Sequence, residues 1–246
     1  MRSRSAWVHL PYYRALLRAY GPQGWWPART RFEVVVGAIL TQNVSWTNVE
    51  KALAALRREG LLSPDRMRRA PLRRIARLIR PAAYFNQKAR GLRAFLEMVE
   101  RDSGGRLGRL LALPAPELRE RLLAVSGIGP ETADSILLYA AARPVFVADA
   151  YSRRLFARHA VLDAEEGYEE ARRLLGSGLP ADPVLLGEYH ALLVRVGKER
   201  CLRREPRCRG CPLETLLPSG GPRPLRCARR PSRRTRRAGR GRHRAD

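Results

Sequence analysis

Asp149 stands where a carboxylate could do chemistry. It follows the short apolar run Pro144–Ala148, which is typical of extended chain, and directly precedes a segment with helical apolar spacing that begins at Ala150. A carboxylate at a helix start accepts hydrogen bonds from backbone N–H groups, an interaction worth about 1 kcal/mol that also keeps the carboxylate ionised. An ionised carboxylate can stabilise a cationic sugar or orient a water molecule towards it. The sequence therefore predicts that Asp149 caps a helix and assists a reaction at a sugar.

A glycine-containing turn upstream of this carboxylate predicts a binding element for a nucleic-acid backbone. Val125–Thr132 reads V-S-G-I-G-P-E-T and lies between two segments with helical apolar spacing. Gly127 and Gly129 break the helical pattern, and Pro130 fits the first turn of the helix that follows. Uncovered N–H groups at that helix N-terminus favour a phosphate. A helix-hairpin-helix that binds DNA through Gly127, Ile128 and Gly129 is therefore predicted, with an ordinary helix–helix turn as the alternative.

Three separated motifs resemble the endonuclease III-like superfamily of DNA glycosylases. The hairpin with an aspartate downstream is similar to the family signature, Phe32–Asn43 is similar to its first barrel helix with the loop that enters the duplex, and Tyr84–Ala89 is similar to its Tyr-Lys-Ala segment. The resemblance spans about residues 12–211. It implies that Asp149 is the catalytic aspartate, that the hairpin glycines bind phosphate, and that Gln42 inserts into the duplex.

The chain is predicted to be all-α, because segments with helical apolar spacing follow one another with Pro/Gly turns between them. By resemblance, residues 28–143 form a helical barrel that contains the hairpin. Residues 1–27 and 144–217 then form a second helical domain. Double-stranded DNA is expected to bind in the cleft between the two domains, with Asp149 at their junction.

One departure from the family bears on the mechanism. Bifunctional members carry a lysine two residues after the last hairpin glycine, where it forms an imine with the sugar before the strand is cut; here that residue is Glu131. A carboxylate cannot form an imine, so the resemblance implies a monofunctional glycosylase in which Asp149 assists water. The only lysines are Lys51, Lys88 and Lys198. The first two are predicted on helix surfaces, and Lys198 is the remaining alternative amine.

Three tryptophans predict the base pocket. Trp25 and Trp26 lie in a turn before the first barrel helix, and Trp46 follows the Gln-containing loop. This arrangement resembles the 3-methyladenine DNA glycosylase subgroup, which implies an alkylated purine as substrate. An alkylated adenine is cationic, and electron-rich rings would hold it by stacking and cation–π attraction of about 1–3 kcal/mol. Core packing of the indoles is the alternative.

Lys198 and His190 share one face of a predicted helix. Lys198 is predicted to reach the floor of the base pocket, and the alternative is that this face is solvated. His190 is predicted to pack or to hydrogen-bond structurally.

Cys201, Cys208 and Cys211 have the spacing C-x6-C-x2-C, which resembles the first three ligands of the family's [4Fe–4S] cluster. The family's fourth cysteine corresponds to Leu217, and Cys227 lies further along the chain. A longer loop adds only about 0.6 kcal/mol of closure entropy per doubling, so Cys227 is predicted as the fourth metal ligand. Zinc on these cysteines, or no metal, are the alternatives.

The charge balance predicts a polyanionic partner. The 246 residues carry a formal net charge of +25, and residues 218–246 contain eleven Arg and one Asp, which gives that segment +10 and the rest +15. Such an Arg/Pro/Gly-rich segment cannot form a packed core and is predicted to be a disordered tail. The longest apolar run, Val34–Leu40, is too short for a membrane span, and no secretory signal is visible. A cytoplasmic, nucleoid-associated monomer is expected.

Two other functions stay open at this point. The first is a bifunctional enzyme of the endonuclease III type that acts on oxidised or mismatched bases and cuts the strand. The second is a non-catalytic protein that binds double-stranded DNA through the hairpin and its basic surface. An assay for released base separates the enzymes from the binding protein.

Overall fold

A computed structural model describes residues 9–225, whose regular secondary structure consists of helices joined by loops. Cys227 and most of the predicted tail lie outside the described residues. The twelve α-helices are α1 His9–Tyr20, α2 Arg31–Leu40, α3 Trp46–Arg58, α4 Pro64–Arg69, α5 Leu72–Leu78, α6 Phe85–Ser103, α7 Leu107–Ala112, α8 Ala115–Leu123, α9 Pro130–Tyr139, α10 Ala150–Arg158, α11 Tyr168–Gly176 and α12 Pro183–Glu199, with 3₁₀ helices at Arg80–Ala82 and Glu214–Leu216. The predicted all-α class is confirmed, and the domain boundaries stay a prediction.

Helix α2 forms the centre of the core. Every residue of Phe32–Leu40 is buried, as expected of a helix that is apolar on all sides, and each large aliphatic side chain contributes roughly 1.5–3 kcal/mol by leaving water. Thr30 caps the helix start by accepting a hydrogen bond from the Glu33 N–H at 3.1 Å. A Cβ added at Gly37 would lie 3.1 Å from the Trp26 indole. The glycine therefore lets a tryptophan lie directly on the central helix.

A buried aspartate fixes helix α9, the second helix of the hairpin. Asp134 is fully buried, and Nε of Arg119 on α8 donates to its Oδ1 at 2.8 Å. From α11, the Tyr168 hydroxyl donates to Oδ2 at 2.9 Å, and Arg172 Nε lies 2.9 Å from the same oxygen. A buried carboxylate is tolerated only with such partners. The network therefore joins α9 to α8 and α11.

Two glycines let α12 approach the helices on either side of it. A Cβ at Gly187 would lie 3.2 Å from the Tyr139 ring of α9, and one at Gly197 would lie 2.7 Å from the ring and 2.9 Å from Cβ of Tyr151 in α10. A methyl group at Gly197 would require a shift of its surroundings, and one at Gly187 would require the Tyr139 ring to give way slightly. Helix α12 therefore lies against the end of α9 near its own start and against the start of α10 near its own end. Within the described range, no helix combines the length and the hydrophobicity that a membrane span requires.

Candidate active site

Asp149 caps α10 and is 7% exposed. Its Oδ1 atom accepts a hydrogen bond from the Ser152 backbone N–H at 2.7 Å, and its Oδ2 atom lies 3.6 Å from Nε2 of His190. Burial by itself would raise the pKa of this carboxyl, but the pairing with His190 and the hydrogen bonds with Ser152 lower that pKa below its ordinary value. Asp149 is therefore held ionised, and the predicted helix cap is confirmed.

His190 lies between Asp149 and Tyr139. Its Nδ1 atom is 2.6 Å from the Tyr139 hydroxyl oxygen, and that hydroxyl also lies 3.1 Å from the Gly187 carbonyl oxygen. Burial of the hydroxyl, followed by the charge of Asp149, raises the pKa of Tyr139 well above its ordinary value, so the phenol stays neutral. His190 is only 8% exposed. The solvated-face alternative is thus wrong for His190, because this part of α12 packs against α9 and α10, and its predicted structural hydrogen bonding is confirmed.

Glu131 lies in the first turn of α9 and remains accessible to solvent. Neighbouring protein atoms nevertheless crowd its carboxylate, and this crowding, together with the negative charge of Asp149, raises the pKa of Glu131 above its ordinary value. His190 and Arg153 oppose the shift with smaller effects. Two carboxylates with oppositely shifted pKa values therefore share one charged neighbourhood, and no lysine stands at position 131.

Among the described residues, the aromatic ring that Lys198 approaches is that of Tyr151. Lys198 is exposed near the end of α12, and its Nζ atom lies 5.9 Å from the centre of the Tyr151 ring. Lys51 is exposed on α3, as predicted. The assignment of Lys198 to the base pocket stays a prediction that these contacts do not support.

Lys88 is buried, so its predicted position on a helix surface is wrong. Its Nζ atom donates to three carbonyl oxygens, of Leu40 at 2.8 Å, Gln42 at 2.9 Å and Ala82 at 2.6 Å. Burial lowers the pKa of Lys88 to about 8, so the ammonium form persists at neutral pH. The three carbonyls stand at helix ends or in the loop after α2. Lys88 therefore ties the end of α2 and the loop after it to α6.

Lys88→Met is expected to lower the free energy of unfolding by about 2–4 kcal/mol, because three carbonyl oxygens lose their common donor in a buried place. Denaturant unfolding at neutral pH measures this change. Lys51→Met is the matched control, since an exposed lysine should change stability by no more than about 0.5 kcal/mol. Equal stability of the two variants would contradict the structural role of Lys88.

Gln42 joins the loop after α2 to the hairpin. Its Nε2 atom donates to the Gly127 carbonyl oxygen at 2.9 Å and to Thr132 Oγ1 at 2.8 Å. Gly127 has a φ of +90°, which favours glycine, whereas a side chain at Gly129 would meet no protein atom within 4 Å. Ile128 is buried, so only its backbone could contact a phosphate. The predicted DNA-binding residues are thus neighbours, and their contact with DNA stays a prediction.

The three tryptophans form one aromatic cluster. The ring centres of Trp25 and Trp46 are 4.5 Å apart, and Trp26 lies 5.2 Å and 5.3 Å from these two rings. Trp26 also lies 5.1 Å from the ring of Tyr139, which in turn contacts His190. The cluster is therefore continuous with the catalytic candidates. Because the rings contact one another, a base would have to bind against the cluster or displace a ring, and the pocket assignment stays a prediction.

The three described cysteines face a single small cavity, together with Arg158 and Leu217. Arg158 Nη1 donates to Cys201 Sγ at 3.2 Å, and burial raises the pKa of the Cys208 and Cys211 thiols. Leu217, which the resemblance aligns with the family's fourth cysteine, also lines this cavity. Among residues 9–225, no group of His, Cys, Asp or Glu side chains is arranged to hold a metal ion. The described donor set therefore does not fit a [4Fe–4S] cluster by itself, and ligation by Cys227 concerns a residue outside the described range.

Tyr139 is the site residue that sequence reasoning misses. It ends an apolar helix, where an aromatic residue is ordinarily a core residue, and its partner His190 is 51 positions away. The available signal is the glycine at 187, since a small residue on a packed helix indicates close approach of a neighbour. That signal does not reveal which neighbour approaches.

Comparison with known proteins places this geometry in a family. A family model described as "HhH-GPD superfamily base excision DNA repair protein" matches residues 36–181, more than half of the chain. A protein of Methanocaldococcus jannaschii assigned as a DNA repair glycosylase is 42% identical over 205 residues, which cover 82% of this chain and 92% of the relative. Endonuclease III of Sulfolobus acidocaldarius is 28% identical over 184 residues, which cover 74% of this chain and 79% of that enzyme.

Solved structures show the same fold. The crystal structure of H. pylori 3-methyladenine DNA glycosylase bound to 1,N6-ethenoadenine superposes with a TM-score of 0.66 at 26% identity, and the match covers 78% of this chain and 95% of that one. A non-covalent complex of endonuclease III with DNA gives a TM-score of 0.71 at 20% identity over 84% of this chain and 92% of that one. At that identity, the second similarity concerns the fold alone.

Proposed function

The chain belongs to the HhH-GPD superfamily of base excision DNA repair proteins, and we propose that it is a monofunctional DNA glycosylase that removes an alkylated purine from double-stranded DNA. The observation that carries this proposal is the combination of residues at the site. Asp149 is buried and ionised, and its neighbour Glu131 occupies the position where bifunctional relatives have lysine. A carboxylate has no nitrogen with which to form an imine. The sugar must therefore be attacked by water.

The two carboxylates have different tasks in the proposed reaction. Asp149 stays ionised and stabilises the positive charge that develops on the deoxyribose as the bond from C1′ to the base nitrogen breaks and the base leaves with the electron pair. Water then adds to C1′ and loses a proton. Glu131, whose raised pKa makes it the more basic carboxylate, accepts that proton. The products are the free base and an abasic site in an uncut strand.

The preference for an alkylated purine rests on the aromatic cluster. An alkylated adenine carries positive charge, and indole faces attract cations at a strength of about 0.5–2 kcal/mol. The tryptophans reach Asp149 through Tyr139 and His190, so a base held at the cluster would lie near the carboxylate. The similar H. pylori enzyme is a 3-methyladenine DNA glycosylase seen with an ethenoadenine, which supports the same substrate class. A positively charged purine is also a good leaving group, so stacking can suffice for selectivity.

The test is a single-turnover assay on duplex oligonucleotides that each carry one lesion: an alkylated purine, an oxidised base or a mismatched base. Released base, strand breaks before and after hot alkali, and adducts trapped by borohydride are measured. We expect release of the alkylated purine, breaks only after alkali, and no trapped adduct. Release of only oxidised or mismatched bases would overturn the substrate class. A trapped adduct would establish lyase chemistry, and DNA binding without release of any base would establish a non-catalytic protein.

A further inference from the structure

The Nε2 atom of His190 is buried and has no hydrogen-bond partner within the described residues. It nevertheless points to one group, since Oδ2 of Asp149 lies 3.6 Å away. On the other side of the ring, Nδ1 is 2.6 Å from the Tyr139 hydroxyl oxygen. A buried imidazole with one edge at a carboxylate and the other at a phenol is an oriented group and not a packing residue.

The contacts of Tyr139 determine which nitrogen of His190 carries a proton. When the phenol donates to Nδ1, the neutral ring must carry its hydrogen on Nε2, which then points at Asp149. When the phenol donates to the Gly187 carbonyl oxygen at 3.1 Å, Nδ1–H donates to the phenol oxygen. A neutral ring would then turn the bare lone pair of Nε2 towards the carboxylate, which is unfavourable. The arrangement in which the phenol donates to Nδ1 is therefore favoured, and it presents Nε2–H to Asp149.

We infer that His190 is a positioning residue for Asp149, and that Tyr139 holds His190 in the orientation and proton arrangement that this task requires. The inference rests on the proposed function, because it assigns the pair a part in the reaction of Asp149. Ser152 holds Oδ1 of the carboxylate, and His190 holds Oδ2. With both oxygens held, the carboxylate keeps one orientation and one charge state.

Tyr139 also connects the aspartate to the aromatic cluster. Its ring contacts Trp26 at 5.1 Å, and its hydroxyl contacts His190. Gly187 lies beneath this ring, where a Cβ would come within 3.2 Å. A base that shifts Trp26 would therefore press on the residue that orients His190. Tyr139 and His190 thus couple the binding of a base at the aromatic cluster to the orientation of the Asp149 carboxylate.

The ionisable groups next to His190 lie on three helices. Asp149 faces it from the start of α10, and Glu131 and Tyr139 do so from α9. On α12 itself, the charge of Glu188 acts on Tyr139. From α1, Tyr13 contacts the ring of the adjacent Tyr189. A change in the pKa of Asp149 on removal of His190 is therefore compared with the effects of these groups.

The experiment compares His190→Leu, His190→Gln and Tyr139→Phe with wild type, by single-turnover base release from pH 3 to 9, with the spontaneous loss of base in enzyme-free samples subtracted. In His190→Leu, we expect the acid limb to shift to higher pH by about 1–2 units, which lowers the rate on that limb by about 10- to 100-fold, since burial then acts on Asp149 without its partner. His190→Gln keeps an N–H donor and should recover most of the rate. Tyr139→Phe should give a smaller loss with a smaller shift.

The matched control is His159→Gln. His159 contacts a phenol, Tyr12 at 3.3 Å, and a carbonyl oxygen, Leu216 at 3.1 Å, but no carboxylate. This variant should keep the wild-type pH profile. An unshifted acid limb in His190→Leu, with a rate that falls uniformly or stays unchanged, would overturn the inference.

A second measurement separates the inference from the proposed function. The pKa of the Asp149 carboxyl can be followed by carbon NMR in wild type and in His190→Leu, without any substrate. A higher pKa in the variant supports the inference even if no lesion is released. An equal pKa overturns it, whatever the assay of base release shows.

Discussion

Asp149→Asn is expected to lower the single-turnover rate of base release by about 10²- to 10³-fold, because the amide lacks the negative charge that stabilises the developing sugar cation. The fold should remain intact. Asparagine is as good an N-cap as aspartate, and its side-chain oxygen can still accept the Ser152 N–H bond that Oδ1 accepts now at 2.7 Å. Base release, thermal unfolding and affinity for undamaged duplex are measured on the same preparation.

Asp182→Asn is the matched control for that substitution. Asp182 caps α12 in the same way, by accepting the Val184 N–H at 2.8 Å, but it lies in the exposed turn before the helix. Both variants should unfold within a few degrees of wild type, and only Asp149→Asn should lose activity. Base release that survives in Asp149→Asn would remove the aspartate from the mechanism, while equal losses in both variants would indicate a capping effect.

Local signals predicted the features that depend on neighbouring residues along the chain. The apolar spacing on either side of Gly127 and Gly129 was enough to predict the hairpin, and the extended run before Asp149 was enough to predict a helix cap. Similar spacing predicted the longer helices. The short helices α4 and α7 could not be predicted in this way, because six residues are less than two turns and show no clear apolar period.

The remaining features depend on contacts between distant segments. Lys88 looks like a surface lysine in sequence, yet its ammonium group serves carbonyls 46 and 48 positions away as well as one nearby. His190 shares a helix face with Lys198, but it is buried while Lys198 is exposed. The apolar spacing along a helix identifies its faces, but it does not show which residues of one face are covered by a neighbouring helix. Only the tertiary packing of α12 decides this.

Three glycines explain how the site is assembled from separate helices. Gly37 lies under Trp26, Gly187 under Tyr139, and Gly197 under Tyr151. At each glycine, the ring of a neighbouring segment occupies the space that a side chain would otherwise fill. The aromatic cluster, the phenol of α9 and the start of α10 therefore come close together. Their spacing in sequence does not indicate this convergence, because each glycine matters only through its partner in space.

Glu131→Lys is expected to convert the enzyme into one that forms a covalent imine with DNA. The new amine would stand in the first turn of α9, accessible to solvent and in the same charged neighbourhood as Asp149. The nearby negative charge favours the ammonium form, which is not nucleophilic. The yield of the borohydride-trapped adduct should therefore rise with pH, from little at neutral pH to a readily detected fraction near pH 9. Strand breaks should appear without alkali under the same conditions.

Two control variants test whether this gain of function is specific to position 131. Glu131→Gln removes the same charge but supplies no amine that can attack the sugar, so it should trap nothing. Glu120→Lys adds a lysine to the exposed surface of α8 and should bind DNA at least as well, again without an adduct. If Glu131→Lys binds a lesion-bearing duplex but traps no DNA at any pH, residue 131 does not face the sugar. The absence of an amine would then no longer explain a monofunctional reaction, and the role of Glu131 as proton acceptor would fail with it.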